Sequence, residues 1–410
     1  MTTAPTPADP EVQQDQPWLS PGVKGIGSAS FLADVGHEIP TALLPSLLTS
    51  TLGAPAAALG AIEGVSDALA GAARFGGGVL ADDPARRRKV AVGGYATTAV
   101  LGAATAGATA VWQVGLLRAA AWTARGLRVP ARNALLADIV PARAYGRAYG
   151  FERMMDNLGA IFGPLLALGL VAWLGVTWAI GLSVIPGLLA AAAIVYAIRT
   201  TPRPTSRDRV PLRIGVRPVL RGDLGRLMGA VAAFEVGNVA ATLLILRASD
   251  LLTPEHGTKT ATTIALGLYT AYNVAATIAS IPAGRLSDRL GRRGPVLVLA
   301  GGVLAFAAAY AIFAVTGAVI AVLAVPFVLA GVGIGAVETA QHSAVAALAP
   351  ADLRGSAFGM LATVQSFGNL AASTIAGILW TATSPTVAFA YLTAWMLLAL
   401  VGLLVAARDR

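Results

Sequence analysis

"GVLADDPARRR" (78–88) and "GRLSDRLGRRG" (284–294) are two versions of one phrase, and their kinship decides the fold. Asp82 falls on Asp288, and each is followed by a cluster of arginines. Three more pairs keep the same order. "DVGH" (34–37) matches "EVGN" (235–238), with Asp34 on Glu235. "RNALLADIVP" (132–141) matches "QHSAVAALAP" (341–350), and "PARAYGRAYGF" (141–151) matches "PADLRGSAFGM" (350–360). The separation stays between 201 and 209 residues, so the chain is one unit written twice.

What lies between these phrases is apolar. Hydrophobic residues make up 56% of the 410 and charged residues only 12%, where a soluble domain carries about 25% charged. A helix needs roughly 20 mostly apolar residues to cross hydrocarbon. Twelve runs qualify: 26–51, 56–80, 90–111, 113–137, 147–173, 176–199, 225–248, 260–284, 295–316, 319–348, 355–380 and 385–406. They are continuous rather than alternating, which excludes a β-barrel and leaves helices, whose backbone groups are satisfied within each span. The expected organisation is a disordered cytoplasmic tail at 1–25 and a six-helix bundle at 26–199. A basic cytoplasmic linker at 200–222, a second six-helix bundle at 223–406 and a short cytoplasmic end at 407–410 follow.

The net charge of +9 is explained by its placement. Arginines cluster in "DDPARRRK", in "RTTPRPTSRDRVPLRIGVRPVLRGD", in "GRLSDRLGRRGP" and at the chain end, always between alternate spans. The other connections are short and nearly uncharged, except "DLLTPEHGTK", which reads as one long external loop with His256 in water. By the positive-inside rule the basic side is cytoplasmic, with both termini there, in an inner membrane. The partners expected are the lipid bilayer, a small-molecule or ion substrate and protons, not nucleic acid, and the chain is expected to act as a monomer. Without cysteine there is no disulfide or thiolate site. "GAARFGGG" lacks the lysine of a phosphate-binding loop, and no nucleophile–base constellation stands out. No catalysis and no cofactor are expected.

The motif in the second half, "GRLSDRLGRR", matches completely the loop that follows span 2 in the major facilitator superfamily, and nearly the whole chain resembles that family. The resemblance implies an all-α membrane protein of twelve transmembrane helices in two pseudo-symmetric six-helix bundles. It implies a cytoplasmic gate at Gly78, Asp82, Arg86, Gly284, Asp288, Arg289 and Arg292. In the first-half copy Asp83 and Ala85 stand where the family prefers Arg and Gly. A second likeness is to the span 5 pattern of proton-antiport exporters. Gly150, Gly159, Gly163 and Pro164 keep its spacing, while Ala167 and Leu168 replace its last glycines. Glycines so spaced let helices approach closely, and Pro164 bends the span.

Charges inside a membrane are costly, so they face an interior or a watery cavity and find partners. Counting along each span puts His37 and Glu38 near mid-membrane, with Asp34 one turn nearer the cytoplasm. Asp67 lies at mid-depth and Glu63 one turn further out. Arg118 shares the depth of Glu63, Arg125 is at mid-depth, and Arg128 is near Asp34. Glu152 and Asp156 reach the level of Arg128 and Arg132. Asp34 and Glu38, spaced i,i+4, share a helical face. Carboxylates lining a low-dielectric cavity can exchange protons near neutral pH. Asp34, with Glu38 or Asp67, is therefore the expected coupling acid; the competing expectation is a permanent strut between Asp34 and Arg128. Glu63 with Arg118, and Glu152 with Arg132, read as struts.

The second half is sparser: Glu235 and Asn238, Asn273, Glu338, Gln341 and His342, Gln365 and Asn369. Glu338 and His342, at i,i+4, could reach one ion, and with Asp34 and His37 opposite could hold a divalent cation. The plainer reading is that His342 hydrogen-bonds a neighbour, with no metal at all. Trp112, Trp173, Trp178, Trp380 and Trp395 fall near span ends, as in an interfacial belt. The sequence thus describes a secondary transporter working by alternating access. Proton-coupled efflux of a small molecule is the first reading, and export of a divalent metal through Asp34, His37, Glu338 and His342 is the second.

Overall fold

The computed structural model describes residues 17–201 and 216–408, so residues 1–16 of the tail, residues 202–215 of the linker and the last two residues lie outside this account. Among the described residues the secondary structure is helical throughout, with no strand. The first half holds α1 (Pro21–Ser46), α2 (Ala56–Ala81), α3 (Pro84–Ala104), α4 (Val111–Ile139), α5 (Tyr145–Leu182) and α6 (Val184–Arg199). A short α7 (Val216–Val219) leads into the second half. That half holds α8 (Gly222–Glu235), α9 (Ala241–Arg289), α10 (Gly294–Val315), α11 (Ile320–Leu348), α12 (Arg354–Ala382) and α13 (Pro385–Arg408).

Helix α1 starts at Pro21, where the Ser20 hydroxyl accepts from the Val23 amide and proline occupies the first turn. Helices α5 and α9 each fold back at a glycine of positive φ: Gly175 at 80°, which joins the fifth pass to the first turns of a sixth that α6 completes, and Gly257 at 74°, which joins the seventh pass to the eighth. A side chain at either position would strain the turn. The seventh pass, expected as one run at 225–248, is instead broken between α8 and α9 at residues 236–240. The break is held by side chains: the Tyr310 hydroxyl accepts from the Val239 amide at 3.3 Å, and the Ser373 hydroxyl from the Ala240 amide at 2.9 Å. The pass then runs on as helix to Gly257, so most of "DLLTPEHGTK" is helical rather than a loop. The His256 ring is exposed and bonds the Leu252 carbonyl one turn back, at 3.3 Å.

With α6 continuing the sixth pass and α8 opening the seventh, the described residues make twelve passes, six in each half. Six described stretches are apolar enough to cross a membrane by length and hydropathy alone, among them both folded helices. Helices α1, α2, α4 and α12 fall short because they carry the charged and amide residues of the interior. In the first half α1 packs on α5 and α6, and α4 on α2 and α3; in the second α11 packs on α9 and α10, and α13 on α10. The halves meet along α5 with α9 and α2 with α12.

Candidate functional site

The site is built on α1, α4 and α5 of the first half. Pro40 and Pro45 lie in α1 beyond the acid pair. Gly159 and Gly163 of α5 let that helix press against α1 at the two acids. A Cβ at 159 would sit 2.6 Å from the Asp34 Cβ, and one at 163 would collide with the Glu38 side chain. The spacing that resembles an exporter pattern is thus the seat of the acid pair. Gly150 faces Ser280 of α9 across the boundary between the halves.

Asp34 is buried, and its Oδ1 accepts from Arg125 Nη2 at 2.9 Å. This departs from the strut expected with Arg128. Both arginines are on α4, nearly one turn apart, and Arg128 is drawn instead over the face of Tyr95 at 4.1 Å. Glu38 and Asp156 lie within electrostatic reach of Asp34. Glu38 is half-buried and Asp67 exposed. His37 meets the edge of Trp122 at 4.7 Å, and the same indole carries Arg118 and Arg125 against its ring at 4.8 and 5.1 Å. Trp122 is the organiser that the sequence reading missed. Of the tryptophans assigned to the belt, Trp112, Trp173 and Trp178 are exposed, while Trp395 Nε1 donates inward to the Ala233 carbonyl.

On the side away from the basic face, Arg118 pairs with Glu63 at 2.9 Å and also donates to Thr41 Oγ1. Toward the basic face the charges interlock. Arg132 reaches Glu152 at 2.7 Å and Asp156 at 3.5 Å, and the Ser30 hydroxyl donates to Glu152 at 2.7 Å. Arg153, not singled out in the sequence, completes the cluster. It bonds Glu152 at 2.7 Å and Asp156 at 3.2 Å, and crosses to Glu338 of the second half at 3.6 Å. Its position beside Glu152 and one turn before Asp156, in an apolar span, was the available signal.

The second half opposes this with amides. Glu235 is buried and accepts from Asn238 at 3.0 Å and Gln341 at 3.2 Å; Gln365 donates to Gln341 at 2.7 Å. Asn369 donates to the Asn238 carbonyl, and Asn273 to the Tyr269 carbonyl one turn back. His342 Nδ1 lies 2.7 Å from the Glu338 carbonyl, and its ring packs in a triangle with those of Tyr149 and Phe358. Among the described residues no three His, Asp or Glu side chains converge on one point, so Asp34, His37, Glu338 and His342 are not assembled here.

On the basic face the repeated phrases exchange partners. Asp288 accepts from the Gly146 and Arg147 amides at 2.7 and 3.1 Å and from Arg147 Nε at 2.8 Å, at the start of α5. Asp82 accepts from the Ser356 amide at 2.8 Å and its hydroxyl at 2.5 Å, at the start of α12. Each carboxylate thus sits at the positive end of a helix from the other half. Burial lifts the Asp82 carboxyl above the usual carboxylate range, and the Ser356 bonds restrain that rise. Gly78 meets Gly355 and Gly359, and Gly284 meets Gly146, backbone to backbone. Arg87 and Arg354, from opposite halves, share Asp138.

Among the described residues, three arginines expected in the gate do not join the halves. Arg86 pairs with its neighbour Asp83 at 3.6 Å, Arg289 is exposed, and Arg292 lies 82% exposed near Asp223. The reason is local. Gly291 takes a φ of 62° in the second-half loop, whereas Asp83 caps α3 in the first, accepting from the Ala85 and Arg86 amides. That capped start turns Arg87, not Arg86, inward.

The family model of the Major Facilitator Superfamily matches residues 26–246 and 227–410. The chain belongs to this superfamily. Among relatives, an uncharacterized MFS-type transporter of Methanocaldococcus jannaschii is 29% identical over 91% of this chain and 92% of its own. An uncharacterized protein of Mycobacterium bovis is 28% identical over 82% of this chain and 81% of its own. Among solved structures, the human organic anion transporter MFSD10 (TETRAN) superposes with a TM-score of 0.72 at 16% identity, over 95% of this chain and 100% of that one. A bacterial homologue of the iron transporter ferroportin, in an outward-facing state, gives 0.74 at 14% identity over the same shares. These likenesses show the major facilitator fold. The chain is accordingly an integral membrane protein of a transporter family.

Proposed function

We propose that this superfamily member is a secondary active transporter that exports a small molecule by alternating access, in exchange for protons. Asp34 is its coupling acid. The observation that carries the reading is the pairing of the buried Asp34 with the partly exposed Arg125, beside two further acids that are not buried, Glu38 and Asp67, and above a basic face latched shut. An acid so placed can trade its arginine for a proton when the cavity changes sides. In this reading the arginine-rich face and both termini are cytoplasmic, in an inner membrane, and one chain suffices.

The test uses the full chain in liposomes with a trapped pH dye, challenged with lipophilic cations, organic anions, neutral drugs and divalent metals in turn. An organic compound should give a proton signal that Asp34→Asn abolishes while the variant stays folded and monodisperse. A signal confined to divalent metals would replace the small-molecule reading. An undiminished signal in Asp34→Asn would remove the coupling role.

A further inference from the structure

Behind Arg125, inside the first half and away from the boundary between the halves, lies a cavity of about 30 Å³ between α1, α3, α4 and α6. A water needs roughly 10–15 Å³ of such space. The lining is strongly cationic: Arg118, Arg125 and Arg128, with His37, Tyr95 and Trp122. Three buried lining atoms have no hydrogen-bond partner, namely Arg118 Nε, Trp122 Nε1 and the Tyr95 hydroxyl. All three can donate. Tyr95 and Arg118 are 1% and 5% exposed, so solvent at the protein surface does not satisfy them.

The acids nearby are already engaged. Glu63 holds Arg118 and Asp34 holds Arg125, each at 2.9 Å. Arg128 is buried over the Tyr95 ring and has no carboxylate within ion-pair distance among the described residues; Asp34 acts on it only from further away. A guanidinium stripped of water and left without a counter-charge is costly. Several unpaired donors around one small space suit an acceptor that has no proton of its own to place.

We propose that this cavity binds a small inorganic anion of about chloride size, facing Arg128, Tyr95 and Trp122. The site borders the transport site through Arg125 but lies within one half and needs no proton exchange, so it stands or falls by its own test. The test is thermal unfolding of the full chain in detergent, in chloride or gluconate at equal ionic strength, with anomalous diffraction from crystals grown in bromide. The unfolding midpoint should climb with chloride and level off, and bromide should appear beside Arg128. Arg128→Gln, which removes the cation, should flatten the dependence. So should Ala121→Leu, which fills the cavity without touching a charge and serves if the first variant does not fold. Equal midpoints in chloride and gluconate for the parent, an undiminished chloride response in Ala121→Leu, or a cavity holding only water would overturn it.

Discussion

Replacing Asp288 by alanine should unlatch the basic face. The carboxylate takes two amide bonds at the start of α5 and one bond from the Arg147 side chain. That side chain is 31% exposed, so the ion pair adds little once solvent screens it. The amide bonds are made to a carboxylate that is 9% exposed, and such bonds contribute about 1.5 kcal/mol each. The closed state therefore loses about 3 kcal/mol, which at about 1.4 kcal/mol per tenfold is roughly a hundredfold in population. The chain has no cysteine, so one reporter can be read cleanly. Ser280 is fully buried against Gly150 of the other half, and Ser280→Cys is nearly isosteric. Its labelling by a membrane-impermeant maleimide should be slow in the parent and up to a hundredfold faster with Asp288→Ala. Asp82→Ala should act alike through Ser356. A reporter that labels equally slowly with and without Asp288 would refute the latch.

Two further outcomes follow from packing and charge. Gly159→Ala forces a Cβ onto Asp34 and should cost about 1–3 kcal/mol, whereas Gly60→Ala, which meets nothing within 4 Å, should be harmless in the same unfolding assay. Arg153→Met strips Glu152, 1% exposed, of one of its two guanidinium partners; it should destabilise by about 3 kcal/mol, with part recovered by adding Glu152→Gln. Equal midpoints for the single and double variants would show that the pair is not what Arg153 stabilises.

Much of the architecture was readable because hydrophobicity and repetition are properties of the chain itself. The layers of acids and arginines were readable too, since depth follows from counting residues along a helix. Rotation does not. Arg125 and Arg128 differ by less than a turn, and only the position of Tyr95 on α3 decides which one Asp34 receives. Arg86 and Arg87 differ by one residue, and the Asp83 cap decides which turns inward. The break at 236–240 was hidden because its cause lies far away, in Tyr310 and Ser373. The helix through "DLLTPEHGTK" was hidden because its apolar stretch stops before its hydrogen bonds do.

The repeat makes one asymmetry legible that neither half shows alone. The offset of 209 carries Arg132 onto Gln341, Asp156 onto Gln365 and Gly159 onto Gly368. The contacts survive the transfer. Arg132 meets Asp156 in the first half, and Gln365 meets Gln341 in the second. Gly159 seats Asp34, and Gly368 seats Glu235 in the same way. What changes is charge: a salt bridge becomes a pair of amides, and the acid that holds Arg125 in one half holds only Asn238 and Gln341 in the other. A neutral pair of amides has no buried charge to balance, and it alters little when a proton arrives. A buried ion pair must be rebalanced whenever either partner changes state. The same backbone frame therefore carries an acid on α1 whose protonation would release the arginine it holds, and an acid on α8, Glu235, whose protonation would release no cation; this supports coupling proton exchange to rearrangement on α1.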